Sequence, residues 1–282
     1  MDLSDPRGLA AALRKHSARA ATSLGQRFLV DRSVLASIVE AAELTSEDDV
    51  LEVGPGPGVL TRELAERVRS VTAVEIDERM VRVLADTLAD RPNARVVRAD
   101  ALAVDLFTVG PLPTRIVANL PYQITSPLVM RFIGDPRRPP LVVVLVQAEV
   151  AKRMVADEHA ARERGFLSIF VQSFAVARIV RRVPPRAFRP PPKVHSAVVA
   201  LRTLDRPAFA PLAQEPFLRL VSDAFRHRRK QLRSALGHEA GVTRERADAA
   251  FSACDIDPRR RPEELALPEW VRLAQALGVP EA

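Results

Sequence analysis

The chain has 282 residues, 47% hydrophobic and 27% charged, the proportions of a folded globular protein, which excludes wholesale disorder and fibrous architectures. The longest strongly apolar run, residues 141–146, is far short of the roughly 18 residues of a membrane span, and the charged first 20 residues carry no secretory signal, so a cytoplasmic protein with no membrane partner is expected. One cysteine, Cys254, and five histidines without ligand spacing exclude an internal disulfide and leave no metal site to expect, while a net charge of +7 admits a polyanionic partner.

In chain order, residues 50–53 read as a short apolar strand running into a glycine-rich turn, Glu52-Val53-Gly54-Pro55-Gly56-Pro57-Gly58, and then an amphipathic helix over 59–68. Strands follow at 70–76, 94–99, 115–118 and 141–146, with a second amphipathic helix at 78–88. This β-α-β rhythm predicts a parallel sheet covered on both faces, with ligands at the carboxyl ends of the strands. Residues 173–182 and 196–202 form a strand pair around the proline-rich 183–192, with no helix between them, which allows an antiparallel return. Beyond 204 the pattern becomes helical: a linker at 205–211, an amphipathic helix over 216–236, and helical stretches at 245–254, 262–265 and 268–277. The expected division is a catalytic domain over 1–204 and a small all-α domain over 205–282.

The glycine-rich turn departs from the dinucleotide pattern G-x-G-x-x-G, because Val59 stands at the third glycine position. Pro55 and Pro57 also lack the backbone N–H groups that hold a pyrophosphate. A bulky ligand without phosphates fits better. Glu75, at the end of the next strand, can accept from both hydroxyls of a ribose, and Asp100, after the strand beyond, can accept from an adenine amino group. The fourth strand ends in Asn119-Leu120-Pro121-Tyr122. An aromatic amine is a weak nucleophile because its lone pair is delocalised into the ring. The Asn119 side-chain oxygen and a backbone carbonyl at Leu120 or Pro121 can accept both amine hydrogens and free that lone pair, while Tyr122 offers a face on which a base stacks. A phosphate-free adenosine ligand beside an amine activator points to S-adenosylmethionine as the methyl donor, with no metal required.

Two blocks are basic and free of acids. Residues 178–193 hold Arg178, Arg181, Arg182, Arg186, Arg189 and Lys193, and residues 226–233 hold Arg226, Arg228, Arg229, Lys230 and Arg233. Such blocks neutralise phosphates by releasing counterions. Arg186, Arg189 and Lys193 with the whole second block are therefore candidate RNA contacts.

Together, residues 25–31 (G-Q-R-F-L-V-D), 52–58, Glu75, Asp100, 119–122 (N-L-P-Y), 188–193 (F-R-P-P-P-K) and 225–232 (F-R-H-R-R-K-Q-L) resemble the bacterial small-subunit rRNA adenine dimethyltransferases, the KsgA/RsmA family, in order and spacing from about residue 14 to 277. The resemblance implies a Rossmann-like class I methyltransferase fold with a mostly parallel seven-stranded sheet. It implies dimethylation of two adjacent adenosines in the 3′-terminal hairpin loop of 16S rRNA, within the 30S subunit and late in its assembly, by an expected monomer. It places cofactor contacts on Gln26, Arg27, Leu29, Gly54, Gly56, Glu75, Ile76, Asp100, Ala101 and Asn119. The target base would be held by Asn119, Pro121 and Tyr122, with Phe188 on its other face. Arg27 stands where the family usually has asparagine, so only a backbone contact carries over there; His195 and Arg164-Gly165-Phe166-Leu167-Ser168 also depart from the family pattern. The alternatives are a 23S rRNA adenine methyltransferase, which typically has isoleucine in place of Leu120 and lacks F-x-x-R-R-K-x-L, and a non-catalytic assembly factor, against which Glu75, Asp100 and Asn119 argue. A nicotinamide dehydrogenase is disfavoured by Pro55, Pro57 and the missing third glycine.

Overall fold

The structure is a computed structural model that describes residues 2–21, 24–227, 230–239 and 242–282. Its first part runs α1 (Pro6–Lys15), β1 (Phe28–Leu29), α2 (Arg32–Ala41), β2 (Asp49–Val53), α3 (Val59–Ala65), β3 (Ser70–Glu75), α4 (Glu78–Thr87), β4 (Ala94–Arg98), β5 (Arg115–Asn119), α5 (Thr125–Gly134) and β6 (Leu141–Gln147). It continues through α6 (Ala148–Val155), α7 (Phe166–Phe174), β7 (Ala175–Val183), β8 (Phe188–Arg189), β9 (Ser196–Thr203), α8 (Gln214–Arg226), α9 (Leu232–Glu239), α10 (Arg244–Cys254) and α11 (Leu267–Ala276). Each strand expected from the sequence is present, with ends shifted by a residue or two.

Seven strands form one sheet in the order β4-β3-β2-β5-β6-β9-β7. β2 to β6 are parallel, and β9 runs antiparallel to β6. The fold is thus the expected Rossmann-like α/β architecture with a mostly parallel seven-stranded sheet. Val142 to Val146 have no exposed surface, as a central strand covered on both faces requires, and this is why the sequence reads there as a continuous apolar run rather than an alternation. α4 shows the complementary pattern: Asp77 caps its N-terminus and Met80, Val83, Leu84 and Thr87 form its buried stripe. Chain order reverses between β2 and β5, so a crevice opens at their carboxyl ends, the usual ligand position in such sheets.

The chain divides into two compact units, Met1–Ala151 with Ala177–Thr203, and Lys152–Val176 with Leu204–Ala282. This differs from the expected 1–204 and 205–282, because Lys152–Val176 joins the helical unit. The cause is aromatic. α7 (FLSIFVQSF) carries Phe166, Phe170 and Phe174, which contact one another in series, and the series continues through Phe209 to Phe217, with centroid separations of 4.7 to 6.0 Å. Each such pair contributes about 0.5–1.5 kcal/mol beyond the area it buries. The expected helix over 216–236 is also corrected: it is two helices, α8 ending at Arg226 and α9 starting at Leu232. The basic block would have stacked like charges three and four residues apart on a continuous helix. α9 instead begins where the Leu232 amide donates to the Arg260 carbonyl at 2.8 Å.

Candidate active site

A cavity of about 250 Å³ lies at the carboxyl ends of β2 to β5, walled on one side by the segment 24–29. The glycine-rich turn forms its floor. Gly54, Gly56 and Gly58 all have positive φ, 70°, 56° and 92°. Close approach explains why Cβ atoms are absent at two of them: one at Gly54 would stand 3.3 Å from Pro121 Cδ, and one at Gly56 would stand 2.9 Å from Phe28 Cε1. The three glycine amides are already engaged. Gly54 donates to the Val74 carbonyl at 3.0 Å, Gly58 to that of Pro55 at 3.0 Å, and Gly56 to Glu75 Oε2 at 3.2 Å. With two prolines between them, the turn has no amide turned to a phosphate, and the cavity suits an uncharged or cationic ligand.

Charge tells the same story. The ionisable side chains in the lining are Arg27, Glu52, Glu75, Asp100 and Tyr122, three carboxyls against one guanidinium. Glu75 Oε1 accepts from the Asp77 amide at 2.8 Å. Burial pushes its pKa above the ordinary carboxylate value, although the amides of Asp77 and Gly56 work the other way. Both oxygens keep a lone pair for ribose hydroxyls. Asp100 is exposed and fixed by the Leu102 amide at 2.8 Å. Beside it are Ile76, 52% exposed, and Leu102, 39% exposed. Apolar side chains are the usual lining of a ligand pocket, and here they offer the faces an adenine ring needs.

Asn119, the last residue of β5, donates from Nδ2 to the Arg27 carbonyl at 3.0 Å. Because a carbonyl can only accept, this bond fixes the carboxamide with Oδ1 as its remaining acceptor. This bond uses only the backbone of Arg27 and so places no demand on the side chain at that position. The two backbone acceptors left open by the sequence are now distinguished: Pro121's carbonyl already accepts from the Ile124 amide at 3.2 Å and the Thr125 hydroxyl at 3.1 Å, whereas the Leu120 carbonyl receives no such bond among the described residues. Tyr122 is held by its hydroxyl, 2.7 Å from Ser196 Oγ on β9, and burial raises its pKa against that hydrogen bond.

All ten expected cofactor residues meet here. Gln26, Arg27, Leu29, Gly54, Gly56, Glu75, Ile76, Asp100, Ala101 and Asn119 all line the cavity, as do Pro121 and Tyr122. Gln26 spends its carboxamide on the protein, donating to Asp77 Oδ2 at 3.0 Å and accepting from the Ala21 amide at 2.8 Å, so it latches the wall in place. Phe188 stands apart from these residues. It has no exposed surface and does not line the cavity; it belongs to the core and, on β8, pairs with Leu29 of β1. The short β1–β8 ladder and the Val30 amide donating to the Ala187 carbonyl at 2.9 Å hold the cavity wall. Sequence reasoning missed Ser196, Phe28 and the buried Glu52. Ser196 carried no local signal, but Glu52 did, as an acid inside an apolar strand.

Among the RNA candidates, Arg186, Arg189 and Lys193 are exposed on the β8 segment of the catalytic unit. In the helical unit, Arg226 pairs with Asp223 at 3.6 Å and Arg233 with Asp248 at 2.7 Å. Lys230 is exposed, and Arg228 and Arg229 lie outside the described residues. Among the described residues no group of His, Cys, Asp or Glu could hold a metal ion, and no helix is long and apolar enough to cross a membrane.

The profile of the ribosomal RNA adenine dimethylases matches residues 17–277. The chain belongs to the ribosomal RNA adenine dimethylase family. Relatives of this dimethylase family include the ribosomal RNA small subunit methyltransferase A of Alkaliphilus oremlandii, 38% identical over 98% of each chain, and that of Shouchella clausii, 38% identical over 98% of this chain and 96% of the other. Among solved structures, a dimethyladenosine transferase from Plasmodium falciparum superposes with a TM-score of 0.75 at 26% identity, covering 89% of this chain and 98% of that one. The 23S rRNA methyltransferase ErmE gives 0.67 at 31% identity, covering 89% and 99%. This dimethylase is an S-adenosylmethionine-dependent rRNA methyltransferase, and the cavity residues fit that cofactor: a floor without free amides, a carboxylate for the ribose, apolar faces for the adenine and an excess of negative charge for a sulfonium.

Proposed function

We propose that this chain dimethylates the 6-amino groups of two adjacent adenosines in the 3′-terminal hairpin loop of 16S rRNA, acting as a cytoplasmic monomer on a late 30S intermediate. The observation that carries the reading is the fixed Asn119 carboxamide, with Oδ1 as its open acceptor at the strand tip. Asn119 Oδ1 and the Leu120 carbonyl accept the two hydrogens of the target amine, turning its lone pair out of the ring plane. Tyr122, steadied by Ser196, stacks on the base. S-adenosylmethionine supplies the electrophilic methyl group when bound. Alignment does most of the remaining work, and the proton of the methylated amine leaves to water.

Small-subunit specificity is favoured over the 23S alternative by Leu120 in N-L-P-Y, by the block at 225–232, and by near full-length relatives named for the small subunit. Mass analysis of rRNA separates the two readings. Cells lacking this protein are expected to lose dimethyladenosine from the 3′ region of 16S rRNA and to retain their 23S pattern; loss from 23S alone overturns the assignment.

The β8 segment offers the RNA three exposed basic side chains, Arg186, Arg189 and Lys193. Changing Arg186, Arg189 and Lys193 together to alanine is expected to weaken 30S binding and to lower the slope of log affinity against log salt by about 2–3, near one per lost phosphate contact. Filter binding between low and moderate salt measures it, and an unchanged slope would remove these three residues from the interface.

A further inference from the structure

Glu52 is the one acid of the cavity whose chemistry the reaction above does not use. It lies in β2, as the first residue of the glycine-rich motif, and is 1% exposed. Its Oε2 is buried without a hydrogen-bond partner. Two polar side chains bear on it: Thr61 from α3, which is uncharged, and Glu75 from β3, a second carboxyl that repels a charge on Glu52. From β5 the cavity receives the neutral Asn119 carboxamide, and from the 24–29 segment Arg27, the only cation in the lining among the described residues. An unpaired carboxylate in so dry a place is strongly disfavoured, and the group keeps its proton instead. Burial, reinforced by Glu75, lifts its pKa to about 8.

We propose that Glu52 is a proton-linked counter-ion for the cofactor: it holds its proton while the cavity is empty and yields it to solvent when an organic cation, the sulfonium or the ammonium of the cofactor, enters. A neutral carboxyl costs little in the empty protein, whereas an ionised one attracts a cation strongly in a site shielded from water. Cofactor uptake therefore releases a proton, and affinity rises with pH until Glu52 ionises unaided. The proposal concerns cofactor uptake alone, so its test needs no RNA and can fail without disturbing the assignment of the rRNA target.

The experiment is calorimetric titration of the RNA-free protein with S-adenosylmethionine at pH 7 in phosphate and in Tris, buffers of very different ionisation enthalpy, repeated with S-adenosylhomocysteine. The difference in heat between buffers counts protons released, and about one is expected for wild type beyond that seen for Glu52→Gln. The cofactor's own amine titrates equally in both proteins and cancels in the comparison. Affinity of wild type is expected to rise up to tenfold per pH unit below 8 relative to the variant. An effect shared by both ligands assigns the ammonium, and one confined to S-adenosylmethionine assigns the sulfonium. Equal heats in the two buffers for wild type, or the same pH slope in Glu52→Gln, overturn the proposal. Thermal melting of the empty protein gives a second reading. A raised pKa makes Glu52 stabilising below its unfolded value near 4.5, and that contribution is lost as pH climbs towards 8. Wild type should lose melting temperature relative to Glu52→Gln across this window, and parallel curves would count against a stored proton.

Discussion

Replacing Asn119 with alanine is expected to slow methyl transfer by about 100- to 1,000-fold, the usual consequence of removing one hydrogen-bonding group aimed at a reacting centre. The reasoning is geometric. The carboxamide is oriented by donation to the Arg27 carbonyl, so Oδ1 is in position before the base arrives and no reorganisation is needed during reaction. Alanine removes both the acceptor and the tie to the cavity wall. Asn119→Asp sharpens the test. Aspartate keeps an acceptor, but its ionised carboxylate cannot donate to the Arg27 carbonyl and would face it with like partial charge. We expect it to fall nearly as far as alanine. Methyl incorporation into unmodified 30S subunits measures the rate, and calorimetry with S-adenosylmethionine checks that cofactor affinity falls much less. A fully active aspartate variant would show that the donor side of the carboxamide is irrelevant.

Gly54→Ala is expected to damage the same reaction through the cavity floor, lowering kcat/KM by about 10- to 100-fold, since small displacements of aligned groups are that costly. Two effects combine. At φ 70° an alanine is strained by about 1–2 kcal/mol, and its Cβ would stand 3.3 Å from Cδ and 3.4 Å from Cγ of Pro121. Pro121 has little room to give, because its carbonyl is tied to Ile124 and Thr125 at the start of α5. The added carbon therefore presses the cofactor floor against the N-L-P-Y turn. Both cofactor affinity and turnover should fall, in contrast to Asn119→Ala. If only cofactor affinity changed, floor and turn would be mechanically independent.

Much of this was legible in the sequence because the sheet writes its own pattern. Runs such as residues 141–146 have one reading when flanked by amphipathic helices, and acids or amides at the ends of successive parallel strands must converge on one crevice. Glu75, Asp100 and Asn119 were found in this way. The place of Phe188 was not legible, because a motif fixes residue type and not which way the side chain faces; pairing of β8 with β1 carries the ring into the core. The helix break before Leu232 depends on the distant Arg260 carbonyl, and the tie between Tyr122 and Ser196 spans 74 residues. Neither leaves a local trace. Glu52 is the opposite case. The letter was visible inside the glycine-rich motif, but its meaning depends on dryness, which only the packed structure supplies.

The aromatic series from Phe166 to Phe217 has a practical corollary for anyone dissecting this protein. Three of its rings precede β7 and two follow β9 in the chain, so severing the polypeptide near Thr203 would not release a tidy catalytic fragment. It would strip Phe174 of its contact with Phe209 and leave a greasy, adhesive surface on whatever remained. The two halves of that helical body are made at different times on the ribosome, and the earlier half must wait for its complement before it can be dry.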